Sequence, residues 1–474
     1  MTYQFLPFNF ERFDNNRVFV SNAVGEYLFL SNEMFNKFIH KELLDTEDAY
    51  FDLLSKQIIS ESKNIENVVK MLATKYRTKK SILNNFTTLH MVVPTLRCNS
   101  NCIYCQVARK NVDDHSCEMT KSTAKNVIKT IFESPSESIK IEFQGGEPCC
   151  SFNMVKYLIE EAEFKNAIKR KDLEFVICTN LTLLKKEQII FLKKHHCYIS
   201  TSLDGPDFIN NVNRPLQNGE NYISQFEKQL KLVRDVWKDK ECVSALMTTS
   251  RYSLGYFKEI VDEYRRLGFS CIFFRSLNPY GFAKQRREKI SYTVDEFLEN
   301  YKQGFEYILK LNKDGCYFVE GFASLLLRRI LTPFATGFVD LQSPAGAGIA
   351  CAMYDYDGSV YVSDEARMMA RFKNYTFRLG NVNKDSYQSM FNGKLMHDVT
   401  SNSCTECLPG CSYCPYQQYC GADPVRNTSE QGDMVGLRST NEMCKRTKAI
   451  IKYLLDLIEK HDPDINRIFW SWIR

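Results

Sequence analysis

Nothing in this 474-residue sequence is apolar over a long enough run to cross a bilayer; charged residues interrupt every hydrophobic stretch well short of the roughly 20 residues a spanning helix needs. A membrane-embedded function is excluded at this stage. The opening MTYQFLPFNFERF has no basic segment leading into an uninterrupted apolar one. No secretory signal is expected, and the cytoplasm is the expected compartment. Charge of one sign is also scarce: the formal net charge is +5, with lysine and arginine scattered along the chain. That lacks the basic stripe of a nucleic-acid binder. Internal repeats and low-complexity tracts are absent as well. What remains, at 44% hydrophobic and 25% charged residues, is the composition of a globular protein of several domains.

Cysteine is what the sequence has in plenty. In a large cytosolic chain, 18 cysteines point to metal binding or redox chemistry rather than a disulfide framework. Three lie in CNSNCIYC (98–105), five in CTECLPGCSYCPYQQYC (404–420), and Cys444 follows. The other nine are dispersed, and those inside apolar runs, such as Cys178, Cys242 and Cys271, read as small buried hydrophobes with no assigned chemistry.

Residues 1–88 read as a small α+β module. Two alternating runs, RVFVSN and EYLFLS, joined through Ala23, Val24 and Gly25, predict a hairpin. Ser31 or Asn32 can cap a following helix, and two more helical stretches lie near 47–57 and 65–76. A strand pair with three helices suits a winged-helix-like, precursor-recognition module; the plainer alternative is an extension packed on the barrel. From 89 to 292, LHMVVPTLR, SIKIEFQGG, LEFVICTN, CYISTSLDG, VSALMTT and SCIFFRSL predict six strands separated by helical crossovers. Runs apolar on both faces point to a parallel sheet, hence an α/β fold with a partial (β/α)6 TIM-type barrel whose chemistry gathers at the C-terminal ends of the strands. A helical bridge over 293–340 follows. The remainder, 341–474, contains a hairpin turning at Asp357 and Gly358, the cysteine-rich segment, a helix near 441–460 and an aromatic tail ending at Trp472.

Cys98, Cys102 and Cys105 follow the first barrel strand at the spacing CxxxCxxC. One short loop can then hold three corners of an iron-sulfur cubane and leave the fourth iron open for a chelating cofactor. S-adenosylmethionine (SAM) could occupy that position, and an electron from the cluster could split its sulfonium to a 5′-deoxyadenosyl radical. Zinc is the alternative, but it wants a fourth ligand and no histidine lies in this loop. Gly145, Gly146, Glu147 and Pro148 end the second strand, where two glycines permit close backbone approach and an acidic side chain or carbonyl can hold an ammonium group; alone they would be an ordinary turn. Thr179 and Asn180, then Ser202 and Asp204, end the third and fourth strands. They can partner a ribose or a carboxylate, or simply form turns.

CNSNCIYC, EFQGGEP, TN and SLDGP, in this order, resemble the radical SAM superfamily, and specifically its SPASM-containing peptide maturases. The resemblance implies that Tyr104 contacts adenine, that the GGE backbone holds the SAM amino group, and that Ser202 and Asp204 line the ribose and methionine side. Arg214, in NVNRP, is similar to the family's basic residue after that motif. FLPFNFERF, LHMVVPTLRCN, STSLDGP, LNPYGFA, DLQSPAG and YCGADPV narrow the resemblance to the His-Xaa-Ser system radical SAM maturase, B type, over nearly the full chain. It implies a ribosomally made precursor peptide as partner, a paired second radical SAM maturase, a reductant such as flavodoxin or ferredoxin, and a side-chain cross-link of the cyclophane kind as product. Formylglycine or thioether formation are the competing reactions. A non-catalytic iron-sulfur or zinc peptide-binding scaffold is the competing class.

A full SPASM pattern supplies two auxiliary clusters. Here Cys411, Cys414, Cys420 and Cys444 keep the positions that hold the outer [4Fe-4S] cluster, although a four-cysteine zinc knuckle would use the same spacing. The inner cluster reads as broken: Cys351 is present, but Ser363 and Pro424 stand where cysteines are expected, and compensation by Cys404 and Cys407 is not expected. Asp364 occupies a position like that of the acidic residue that takes a proton in related sulfatase-maturing enzymes, and Glu365 adjoins it. Either is a candidate general base, with an exposed acidic turn as the alternative.

Overall fold

A computed structural model of the chain describes residues 3–278 and 280–473. Pro279, inside the LNPYGFA motif, lies outside them. The N-terminal strands are β1 (Tyr3–Phe5), β2 (Phe8–Arg12), β3 (Arg17–Asn22), β4 (Tyr27–Ser31) and β5 (Ile59–Glu61). The expected hairpin is β3–β4. Its turn places Gly25 at φ +79°, and the Asn22 carboxamide oxygen accepts the N–H groups of Val24 and Glu26 at 3.0 and 3.1 Å. Ser31 caps the helix Asn32–His40 through the N–H of Met34 at 3.1 Å, and helices Asp48–Ser55 and Ile65–Lys80 follow. The strand pair expected is in fact a three-stranded sheet, because β2 adds antiparallel to β3, and β1 pairs with β5 beside it. The module seats on the cysteine-rich segment: Phe19 stacks on Tyr416 at 5.0 Å, Tyr419 donates to the Gly25 carbonyl at 2.8 Å, and Ser21 donates to that of Pro415 at 2.6 Å.

The main sheet begins with β6 (Leu89–Thr95), β7 (Ser138–Gly145), β8 (Asp172–Cys178), β9 (Cys197–Ser202) and β10 (Val243–Leu246), all parallel and in sequence order. Helices Lys121–Ile131, Phe152–Lys169, Lys186–Lys194 and Tyr222–Trp237 cross between them. The strands differ in this respect: β6 buries Met91, Val92 and Val93 and β8 buries Phe175, Val176 and Ile177, apolar on both faces as expected, whereas β7 is not. In β7, Ile139, Ile141 and Phe143 are buried against the helices, whereas Lys140, Glu142 and Gln144 alternate onto the inner face. Each buried aliphatic side chain contributes roughly 1.5–3 kcal/mol, so the helix-facing side stabilises the barrel while the lumen is left polar.

The sixth strand is shorter than expected. β11 is only Cys271–Ile272, and it pairs with β12 (Val319–Glu320) rather than with β10. The buried Glu320 carboxylate accepts the N–H of Phe274 at 3.2 Å and so ends the ladder there. One backbone bond, Thr249 N–H to the Arg275 carbonyl at 2.8 Å, still ties this segment to the chain leaving β10. On the other flank the sheet grows: β13 (Cys351–Tyr354) adds parallel to β6, then β14 (Ser359–Tyr361) and β15 (Arg378–Asn381) add antiparallel. The expected hairpin, with Gly358 at φ +86°, is therefore an extension of the barrel sheet, eight strands in all. Helices Val294–Lys313 and Gly321–Leu331 form the bridge and pack with Glu442–Glu459; the aromatic tail is itself a helix, Pro463–Trp472, with Trp472 edge-on to Phe305 at 5.7 Å. No helix among the described residues is long and apolar enough to cross a membrane.

Candidate active site

The cysteine loop leaves β6 and is held from several sides before any ligand arrives. Asn101 and Ile103 donate to the carbonyls of Pro215 and Asn213 at 2.7 and 2.9 Å, Cys98 donates to Lys110 at 3.2 Å, and Cys105 accepts from Phe282 at 2.9 Å. The result brings Cys98, Cys102 and Cys105 onto one cavity of about 270 Å³ at the strand ends. Burial pushes the Cys98 thiol up and that of Cys102 to about 11, so positive charge must arrive for these groups to become thiolates.

Gly145, at φ +120°, and Gly146 also border this cavity. The close approach they permit is to the cysteine loop itself. A Cβ on Gly146 would meet the carbonyl oxygens of Arg97 at 2.1 Å and Leu96 at 2.4 Å. Of the two groups of this turn that could hold an ammonium, the Glu147 side chain is already engaged: its buried carboxylate accepts from Thr179 Oγ1 at 2.6 Å, Asn180 N at 2.8 Å and Cys149 N at 3.0 Å. It clamps the ends of β7 and β8 together, which leaves only the backbone of the GGE turn for a ligand. Pro148 begins a buried turn off the cavity. The Asn180 amide donates to Asn99 Oδ1 at 2.8 Å and Ser100 Oγ at 3.1 Å, so it braces the cysteine loop from the third strand end.

Ser202, Tyr104 and Arg214 border the cavity. Asp204 does not: it is fully buried behind them, accepting from the Tyr104 hydroxyl, from Arg214 Nε at 3.1 Å and from Thr248 N at 3.0 Å. The Arg214 guanidinium lies over the Tyr104 ring at 5.2 Å. Asp204 is thus corrected from a lining residue to the group that orients Tyr104 and Arg214.

A second cavity, of about 300 Å³, adjoins the first; Glu142, Leu246, Arg275 and Asp364 border both. Asp364 and Glu365 open the helix Asp364–Ala370, which Ser363 caps through the N–H of Ala366 at 3.3 Å. Burial and the neighbouring Asp364 carboxylate push Glu365 up to about 8, although Arg275 lies 4.0 Å away. Cys178 corrects another expectation. Its thiol borders the first cavity and donates to Glu142 Oε1 at 3.1 Å. Alternation along β7 could have flagged Glu142 and Gln144 as lumen residues; for Cys178 and Arg275 no sequence signal existed.

Cys411, Cys414, Cys420 and Cys444 all border a third cavity, of about 40 Å³. A turn with Cys414 N–H on the Cys411 carbonyl at 2.9 Å sets the first pair, and Asn441 caps the final long helix through Cys444 N at 2.8 Å. Cys404 instead faces Glu406 at 3.3 Å, beside the Lys80–Glu406 ion pair, and Cys351 lies on the second cavity. Cys351 borders the second cavity, whereas Cys404 and Cys407 border none of the three. Among the described residues no group of three His, Cys, Asp or Glu side chains gathers around a point suited to one metal ion.

Residues 92–264 match the model of the radical SAM superfamily. The match spans less than half of the chain. The superfamily uses a [4Fe-4S] cluster and SAM. The residues present fit that pair: three thiols from one loop and no histidine border the first cavity, with a polar strand-end wall beside them. The chain is 23% identical over 372 residues to a cysteine-type anaerobic sulfatase-maturating enzyme of Clostridium perfringens, covering 75% of this chain and 93% of that one. In fold it resembles native anSMEcpe with bound AdoMet (TM-score 0.66, 18% identity, 80% of this chain and 100% of that one). It also resembles Streptococcus suis SuiB bound to the precursor peptide SuiA (TM-score 0.54, 13% identity, 94% and 100%).

Proposed function

We propose that the chain is a peptide-modifying radical SAM enzyme that removes hydrogen from a side chain of a ribosomally made precursor peptide and closes a side-chain cross-link of the cyclophane kind. The observation that carries this reading is the junction of two cavities, with Asp364 and Arg275 on both. When bound in the first cavity, the cluster and SAM supply a strong one-electron hydrogen-abstracting agent. In this reading Cys98, Cys102 and Cys105 hold the cluster. The Gly145–Gly146–Glu147 backbone, Ser202, Arg214 and the Tyr104 ring hold SAM, and Glu147, Asn180, Thr179 and Asp204 keep those groups in place. The peptide side chain lies in the second cavity, shielded from water by Phe273, Phe274 and Phe338. Ring closure removes two hydrogens in total: the abstracted atom, and a proton that Glu365 or Asp364 accepts from the closing ring. Cys411, Cys414, Cys420 and Cys444 would hold a centre able to accept the remaining electron.

A sulfatase-maturating relative and a structural neighbour carrying a precursor peptide support peptide as the substrate class. The module around β3 and β4 would bind a leader segment by strand addition at a sheet edge, a reductant such as flavodoxin or ferredoxin would feed the first cluster, and a second radical SAM maturase would act on the same precursor. The deciding experiment is anaerobic reconstitution with iron counting and deoxyadenosine assay, in the parent and in a Cys98, Cys102, Cys105 to Ala variant. About eight irons, falling by about four with loss of deoxyadenosine, support one catalytic and one auxiliary cluster, and about twelve would restore the inner cluster. Bound zinc without SAM cleavage would leave a peptide-binding scaffold. A product two hydrogens lighter, with every side-chain heteroatom retained, excludes formylglycine.

A further inference from the structure

The second cavity carries more carboxylate than its own arginines neutralise. Glu142, Asp340, Asp364, Glu365 and Asp423 border it, against Arg275, Arg426 and Arg446. Arg426 is already committed to Glu430, at 2.9 Å, and Arg275 reaches Glu365 only at 4.0 Å. Asp340 has no ion pair or side-chain hydrogen bond among the described residues. Enclosure by the cavity wall and mutual repulsion push the half-buried Asp423 to about 7 and the half-buried Glu365 to about 8, and the same two causes raise Asp340 to about 6 although that residue is exposed overall. Like charges forced together in a shielded space either take up protons or attract a counter-charge. A second observation points the same way. The hydroxyl of Tyr280, a residue 2% exposed on the wall of this cavity, has no hydrogen-bond partner among the described residues. A buried hydroxyl left unpaired is costly, and a ligand N–H donating to its oxygen would relieve it. Around the acids, Phe273, Phe338 and Met443 supply an apolar wall suited to methylene groups.

We propose that this cavity receives a cationic side chain of the substrate peptide, an ammonium or guanidinium on an aliphatic stem, its charge held among Asp340, Glu365 and Asp423. The inference rests on the peptide-modifying reading and names the side chain that site selects. Asp340 and Asp423 border only the second cavity, whereas Asp364 and Leu246 border both. A stem anchored by its charge at the first pair therefore runs past the second pair towards the cysteine loop, where hydrogen would be removed.

The test uses the reconstituted full chain with SAM, titrated calorimetrically with acetyl-Gly-Lys-Gly-amide, its norleucine counterpart and its glutamate counterpart. The lysine peptide should bind at least about tenfold more tightly than the norleucine peptide, a difference of about 1.4 kcal/mol. Its affinity should rise between pH about 6 and 8 as the three acids ionise, and the combined Asp340→Asn and Asp423→Asn variant should abolish the preference. Norleucine or glutamate binding as well as lysine, or a preference flat with pH, overturns the inference. The peptide comparison needs no variant, so a misfolded double mutant does not blunt it. Deoxyadenosine formation by the same sample separates the two ideas: SAM cleavage without lysine preference removes this inference alone, and absence of SAM cleavage removes the reading beneath it.

Discussion

A single methyl group tests how the first cavity is built. Gly146→Ala would drive a carbon to within 2.1 Å of the Arg97 carbonyl, which is backbone and cannot rotate away, so the cysteine loop must move. The expected result is a loss of about four irons and of deoxyadenosine with an unchanged far-ultraviolet spectrum. Glu147→Ala acts differently, because it strips an acceptor from three buried donors. A loss of about 3 kcal/mol or more in urea-measured stability follows from leaving those donors unpaired. Glu365 carries the pH dependence. It must be ionised to accept a proton, and its value near 8 means that product formation should climb as pH rises through about 8. Glu365→Gln should remove that climb; an unchanged profile would move the role to Asp364. The sign for folding is the reverse. An acid whose folded value is raised favours its neutral form, so its contribution is complete below the ordinary carboxylate range and is lost as pH rises towards about 8.

The helix Asp364–Ala370 concentrates the question of the missing cluster. Ser363 is its cap, in extended conformation, and Cys351 faces the same cavity. Ser363→Cys adds one thiol to one thiol, with Cys404 and Cys407 held elsewhere beside Glu406 and Lys80, so the iron count should stay at about eight and stability should fall by about 1 kcal/mol through loss of the cap. A rise to about twelve irons in that variant would show that two cysteines suffice to recruit the others. At this scale much was legible from local pattern. Five of six barrel strands, the β3–β4 hairpin, the Ser31 cap and the Asp357–Gly358 turn are set by neighbours within a few residues. The sixth strand is shorter than its local pattern predicts because Glu320, far along the chain, takes the N–H that a ladder partner would have used. The addition of β13 to β6 has no local signature for the same reason: it joins Cys351 to Leu89 across more than half the chain. Glu147, Asn180 and Asp204 follow the ends of β7, β8 and β9, but their partners come from other strand ends, and spacing alone does not distinguish a ligand-facing group from a brace.

The whole molecule divides the two proposed clusters between different supports. Every residue bordering the first and second cavities lies at Leu89 or beyond, so the N-terminal module contributes nothing to either wall. The four-thiol site depends on it more directly. Phe19 is fully buried against Tyr416, Glu11 pairs with Lys448, and Asn9 donates to the Ser412 carbonyl at 3.2 Å, all within the cysteine-rich segment or the helix carrying Cys444. Removing residues 1–85 would expose Tyr416 and Tyr419, at roughly 1.5–3 kcal/mol for each aromatic side chain uncovered. The truncated chain should therefore retain SAM cleavage while its iron falls from about eight towards about four. That outcome also governs how the module's part in peptide recognition is measured. Weaker peptide binding by a truncated chain that has kept all its iron would assign leader recognition to the module, whereas weaker binding accompanied by iron loss would reflect a disturbed auxiliary site. Unchanged binding in either case would leave the module as a support for the cysteine-rich segment alone.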